Sequence, residues 1–154
     1  MALFDIVGSR VLVPILHILA SAVLATASAA ASGTDIDRDE RTVTGRWQVT
    51  AALDGADIAS LDEREAQRLL KQVLVISRDI VRFGSHSCGP SGFEAESVEP
   101  RLFVRQQFRA SARNLGLPSP VTVVKLNCTA VFIKSPDKVV VFWDGWFFDA
   151  VRMH

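Results

Sequence analysis

The distribution of apolar and polar positions divides the chain into an apolar head, a polar connection and a long region of short alternating runs. Val11 to Ala25 (VLVPILHILASAVLA) carries no charge, Arg10 precedes it, and small residues with repeated Ala-x-Ala spacing run on to Ser32. A short polar start ended by Arg10, a short apolar run and a small-residue site read as a cleavable secretory signal peptide over residues 1–31. The competing reading, a membrane anchor, wants about 20 predominantly apolar residues, whereas this run is shorter and is interrupted by Pro14 and His17. Residues 32–42 are polar without period and predict a flexible arm, and residues 43–154 predict one domain.

Within that domain, Thr44 to Leu53 (TGRWQVTAAL) reads as a first strand. Ser60 to Lys71 predicts a helix, with Ser60 and Glu63 as a capping box and Leu61, Leu69 and Leu70 on its buried side. Gln72 to Ser77 and Ile80 to Gly84 are β-branched runs split by Arg78-Asp79, a hairpin pattern, followed by a turn-rich loop to Gly92 and a weaker strand from Phe93 to Val98. Val104, Phe108, Ala112 and Leu115 recur at helical spacing, predicting a second helix over Arg101 to Leu115 that Gly116 and Pro118 stop.

The last third predicts four strands, Val121 to Leu126, Ala130 to Ile133, Val139 to Trp143 and Trp146 to Arg152. Asp144-Gly145 between the last two fits a type I′ turn, which needs positive φ at both central positions and so fixes the register. Trp143 then faces Trp146, Phe142 faces Phe147, Val141 faces Phe148, and Asp137 falls opposite Arg152. Both faces of this hairpin are apolar near the turn, so one lines a core and the other wants a helix over it or forms an exposed patch. The fold expected is mainly β (α+β), a small antiparallel β-barrel of about eight strands with two short helices, because closure removes exposed edges.

Charge narrows the partners: 17 basic and 17 acidic residues cancel, which gives no field to attract nucleic acid and leaves membrane contact peripheral at most. The two cysteines, Cys88 and Cys128, lie in the oxidising compartment that a signal peptide implies, where an even count favours a bridge. The alternative is a redox or metal site, but His86 near Cys88 has no second histidine or C-x-x-C motif to complete it. No G-x-S-x-G, H-E-x-x-H, P-loop or dinucleotide fingerprint occurs, so no catalytic residue, metal or cofactor is assigned.

Gly45-Arg46-Trp47 at the head of the first strand resembles the G-x-W motif of lipocalins, and Arg152 stands near the end of the last strand, where that family sets an arginine against the tryptophan. The resemblance implies that Trp47 and Arg152 close one end of the barrel by packing and cation–π contact. More widely, the early tryptophan, short helix, separated cysteines, Leu115-Gly116-Leu117 and terminal aromatic hairpin resemble small secreted bacterial proteins of unassigned activity.

Two surfaces are candidates for binding. Arg101, Arg105, Arg109 and Arg113 repeat at i, i+4 and, on one helix, would make a cationic stripe. Trp143, Trp146, Phe147 and Phe148 would rim a ligand pocket or anchor an interface. The expectation is a non-enzymatic periplasmic or secreted binding protein, lipocalin-like, for a small apolar ligand or an extracytoplasmic protein. Ser91-Gly92-Phe93 resembles in part the Ser-Gly loop motif of small β-barrel lysozyme inhibitors, which implies a protein–protein inhibitor as one alternative. A periplasmic hydrolase or redox protein without a recognisable motif is the other.

Overall fold

The computed structural model describes residues 32–154; the expected signal peptide lies outside the described residues. Nine antiparallel strands form one sheet: β1 (Gly45–Gly55), β2 (Val73–Ile76), β3 (Val81–Phe83), β4 (His86–Cys88), β5 (Glu94–Val98), β6 (Val121–Leu126), β7 (Thr129–Ser135), β8 (Lys138–Trp143) and β9 (Trp146–Arg152). Their spatial order is β4-β3-β2-β1-β9-β8-β7-β6-β5, so the first and last strands lie side by side at the centre. Register shifts at Val49/Ala51 and Ala52/Asp54 break the β1–β9 ladder, and such bulges bend a strand and increase its twist.

The domain is mainly β, as the strand pattern led one to expect, and its single antiparallel sheet of nine strands, against about eight expected, curls into a half-barrel. Phe83 on β3 meets Trp143 on β8 and Phe148 on β9 edge-on, with ring centroids 5.6 and 5.7 Å apart. These strands are far apart in the hydrogen-bonded order, so only curvature brings them together. The extra strand, β4, comes from the segment read as a loop. It is three residues long and, among the described residues, pairs only with β3, too short to show a period.

Alternation along the strands separates two cores. Trp47, Leu74, Phe83, Val141, Trp143 and Phe148 pack on the concave side, while Val121, Val123, Phe132, Val140 and Phe147 face outward and are covered by Val104 and Leu115. The register of the last hairpin is the one the Asp-Gly turn predicts: Trp143 opposes Trp146, Phe142 opposes Phe147, and Val141 opposes Phe148. Asp144 and Gly145 have φ of 48° and 91°. Both apolar faces are therefore buried, the outer one beneath a helical cover.

Three helices are present among the described residues, where two were expected. The segment read as a flexible arm is instead helix α1 (Ser32–Val43). It has no apolar period of its own, and its C-terminal part is held from outside. Val43 is fully buried, Trp47 Nε1 donates to the Val43 carbonyl at 2.8 Å, and Arg78 pairs with Glu40 at 2.7 Å. The Glu40 contact raises the Arg78 guanidinium above its ordinary pKa, through the hydrogen bond first and then charge.

Helix α2 (Glu63–Arg68) is shorter than the run from Ser60 to Lys71, and Asp62 rather than Ser60 caps it. Asp62 accepts from the Glu65 N–H and Glu65 from the Asp62 N–H, both at 2.8 Å, while the Ser60 N–H goes to the Asp144 carbonyl at 3.0 Å. The expected helix over Arg101 to Leu115 is likewise corrected. Helix α3 spans Pro100–Phe108, with Glu99 accepting from the Arg101 and Leu102 N–H groups, and ends at Arg109 in the left-handed conformation, φ 49°. Ala112 and Leu115 do reach the outer core, but from a non-helical segment folded back beside α3. The apolar spacing is met equally well by one long helix or by a short helix and a return.

Candidate functional site

Trp47 and Arg152 are register partners on β1 and β9, and the Arg152 guanidinium carbon lies 4.2 Å from the centroid of the Trp47 ring. Arg152 also donates from Nη1 to the Thr44 carbonyl at 3.1 Å and from Nη2 to the Thr42 carbonyl. The guanidinium fork thus ties the end of α1 to the end of the sheet, with Trp47 fully buried beneath it. This arrangement fixes an end of the fold and leaves little of either group for a ligand.

Cys88 on β4 and Cys128 in the β6–β7 turn form a disulfide with Cα atoms 6.3 Å apart, within the usual span. The bridge joins an edge strand to the opposite wing of the curled sheet. Beside it, Asn127 donates to the Pro90 carbonyl, and Ser91 Oγ donates to the Ser77 carbonyl at 2.9 Å. Phe93 packs against the concave core. The Ser91-Gly92-Phe93 segment is therefore tied to its neighbours at both ends.

The aromatic candidates are consumed by packing, which removes them as an exposed interface. Trp143 and Phe148 lie in the concave core, and Phe147 lies in the outer one within 6.1 Å of Phe108, Phe132 and Phe142 by ring centroids. Trp146 is half-buried; its Nε1 donates to the Leu61 carbonyl at 2.9 Å and its ring lies against Gly55. The turn between the two tryptophans is clamped as well, since Ala56 N–H donates to the Gly145 carbonyl at 2.7 Å.

The four arginines remain exposed, but not as one helical stripe. Arg101 and Arg105 stand on α3, Arg109 ends it, and Arg113 lies on the returning segment. The return sets Arg113 across from Arg101 and Arg105 instead of beyond Arg109. Arg101, Arg105, Ala110, Ser111, Ala112 and Arg113 line a recess of about 190 Å³. A neighbouring recess shares Arg101, Ala112 and Arg113 and extends past Glu99 to Ser119; another shares Arg105, Ala110 and Ser111 and extends to Arg109 and Asp57. Shared walls make these one furrow. Among the described residues none of the four guanidinium groups has an ion pair or a side-chain hydrogen bond.

Sequence reasoning missed Ser111 and Glu99. Ser111 Oγ accepts from the Arg113 N–H at 3.2 Å and shapes the return. The signal for Glu99 was Pro100: a proline at the first helical position follows its cap. On the same outer side, Phe103, Phe108, Leu126, Ala130 and Phe142 line a more apolar recess of about 300 Å³. In comparisons with known proteins, no family model, curated protein or solved structure matches this chain. Among the described residues, no helix is long and apolar enough to cross a membrane.

Proposed function

We propose that this is a non-enzymatic extracytoplasmic binding protein, lipocalin-like in its curled sheet, that meets a protein partner through the outer furrow. The observation that carries the reading is the contrast between the two sides of the sheet. The concave side, where a carrier would hold its cargo, is filled by Trp47, Leu74, Phe83, Trp143 and Phe148. The outer side presents four unpaired guanidinium groups along a furrow. Arginine is favoured at interfaces because its planar fork recognises carboxylates and phosphates with two parallel bonds, so the partner surface is acidic. The apolar recess at Phe103, Phe108 and Phe142 favours a second reading, a small apolar ligand held on the outer side.

Native mass spectrometry of the protein purified from its own secretory pathway separates the two. A bare mass, together with cross-links to an acidic partner that map to Arg101–Arg113 and vanish when the four arginines become glutamine, is the expected result. A co-purifying small molecule overturns the first reading in favour of the second.

A further inference from the structure

We propose that the recess between Arg101, Arg105 and Arg113 is a binding site for one phosphate-type oxyanion. The inference rests on the furrow being the contact face and adds the chemistry of what sits at its centre.

The recess is shaped for a compact anion. An i, i+4 row of arginines on a continuous helix is a flat cationic strip, suited to diffuse attraction. Here α3 stops at Phe108 and the chain doubles back, so cations stand on two walls of a recess of about 190 Å³. A two-walled cleft selects a compact anion approached from both sides.

The charge of the recess is one-sided. No carboxylate lines this recess; of the two acids farther along the furrow, Glu99 accepts from the Arg101 and Leu102 N–H groups at 3.2 and 2.7 Å, and Asp57 lies in the portion that extends to Arg109. Helix α3 therefore has its N-terminal donors satisfied, and the attraction comes from the side chains. Three guanidinium groups around one recess repel each other until an anion offsets them.

Donor count decides between anions. Ser111 Oγ accepts from the Arg113 N–H, which leaves the hydroxyl proton free to donate into the recess that Ser111 lines. Three guanidinium forks and a hydroxyl exceed what the two oxygens of a carboxylate accept, whereas a tetrahedral phosphate offers three or four oxygens and up to two charges. The phosphate comes either as the free anion or as the monoester end of a larger molecule.

The test titrates the secreted protein, at constant ionic strength and neutral pH, with inorganic phosphate, glycerol 3-phosphate, sulfate and acetate, followed by amide NMR shifts. Saturable shifts at residues 110–113 with phosphate or glycerol 3-phosphate, and not with acetate, are expected. Arg105→Gln and Arg113→Gln each weaken binding at least about tenfold, the effect of one charge-assisted hydrogen bond; Arg109→Gln, outside the recess, changes it less than about twofold. Tighter binding of glycerol 3-phosphate points to a monoester, and tighter binding of phosphate to the free anion. All three arginines are exposed, and unchanged melting temperatures verify that the variants fold. Absence of saturation, an equal response to acetate, or equal weakening by Arg109→Gln and Arg113→Gln overturns the proposal. If phosphate fails while the acidic partner is still lost with the arginines, the furrow reading stands and only this inference falls.

Discussion

Arg152 caps the Trp47 ring at 4.2 Å while its guanidinium nitrogens reach the carbonyls of Thr42 and Thr44. One side chain from the last strand thereby satisfies acceptors at the end of α1 and covers the indole of the first strand. Lysine keeps the charge but not the fork. Arg152→Lys is expected to lower the unfolding free energy by about 1.5–3 kcal/mol, the range for a hydrogen bond to a charged group. Urea unfolding measures it, and equal midpoints for the two proteins would sink the assignment.

Gly45 makes room for that contact. Its φ is 137°, and a Cβ there would stand 2.9 Å from Arg152 Nη1. Gly45→Ala is therefore expected to cost on the order of 1–3 kcal/mol through backbone strain and to displace the guanidinium from the ring. Tryptophan fluorescence of the variant reports the second effect separately from the first.

How much was legible in the sequence differs between the two ends of the domain. The terminal hairpin was readable because Asp144-Gly145 dictates a turn and the turn dictates every pair behind it. Helix α1 was not, because it is held by Trp47 just past its end and by Arg78 and Arg152, residues distant in sequence. The arginine recess was half legible. The four residues stand out by spacing, but their apolar neighbours fit a straight helix as well as a folded-back one, and Arg113 changes walls between the two.

The cap of α2 gives a direct comparison of the two readings. Asp62→Ala removes the side-chain acceptor of the Glu65 N–H and is expected to cost about 1 kcal/mol. Ser60, whose backbone N–H is the group in use, is expected to change stability by less than about 0.5 kcal/mol when replaced by alanine. Thermal melts of both variants check the order, and a larger loss for Ser60→Ala would contradict the observed cap.

The disulfide closes a loop with a sequence separation of 40, for which the chain-entropy account gives about 4 kcal/mol. Cys88→Ser with Cys128→Ser is expected to lose about 2–5 kcal/mol and to speed hydrogen exchange in β4 and β3 before β8 and β9. Exchange that rises uniformly would mean the bridge does not hold that edge.

A curled sheet that stops short of closure keeps two rows of backbone groups without neighbours, and such rows recruit strands from other molecules. On one edge, β5 spaces Glu94 and Glu96 along its length and has α1 against it. On the other, β4 offers only three residues and is anchored by Cys88. Both borders of the sheet are thus guarded against strand addition, and the guard on the β4 side is a covalent one that reduction of Cys88–Cys128 would remove.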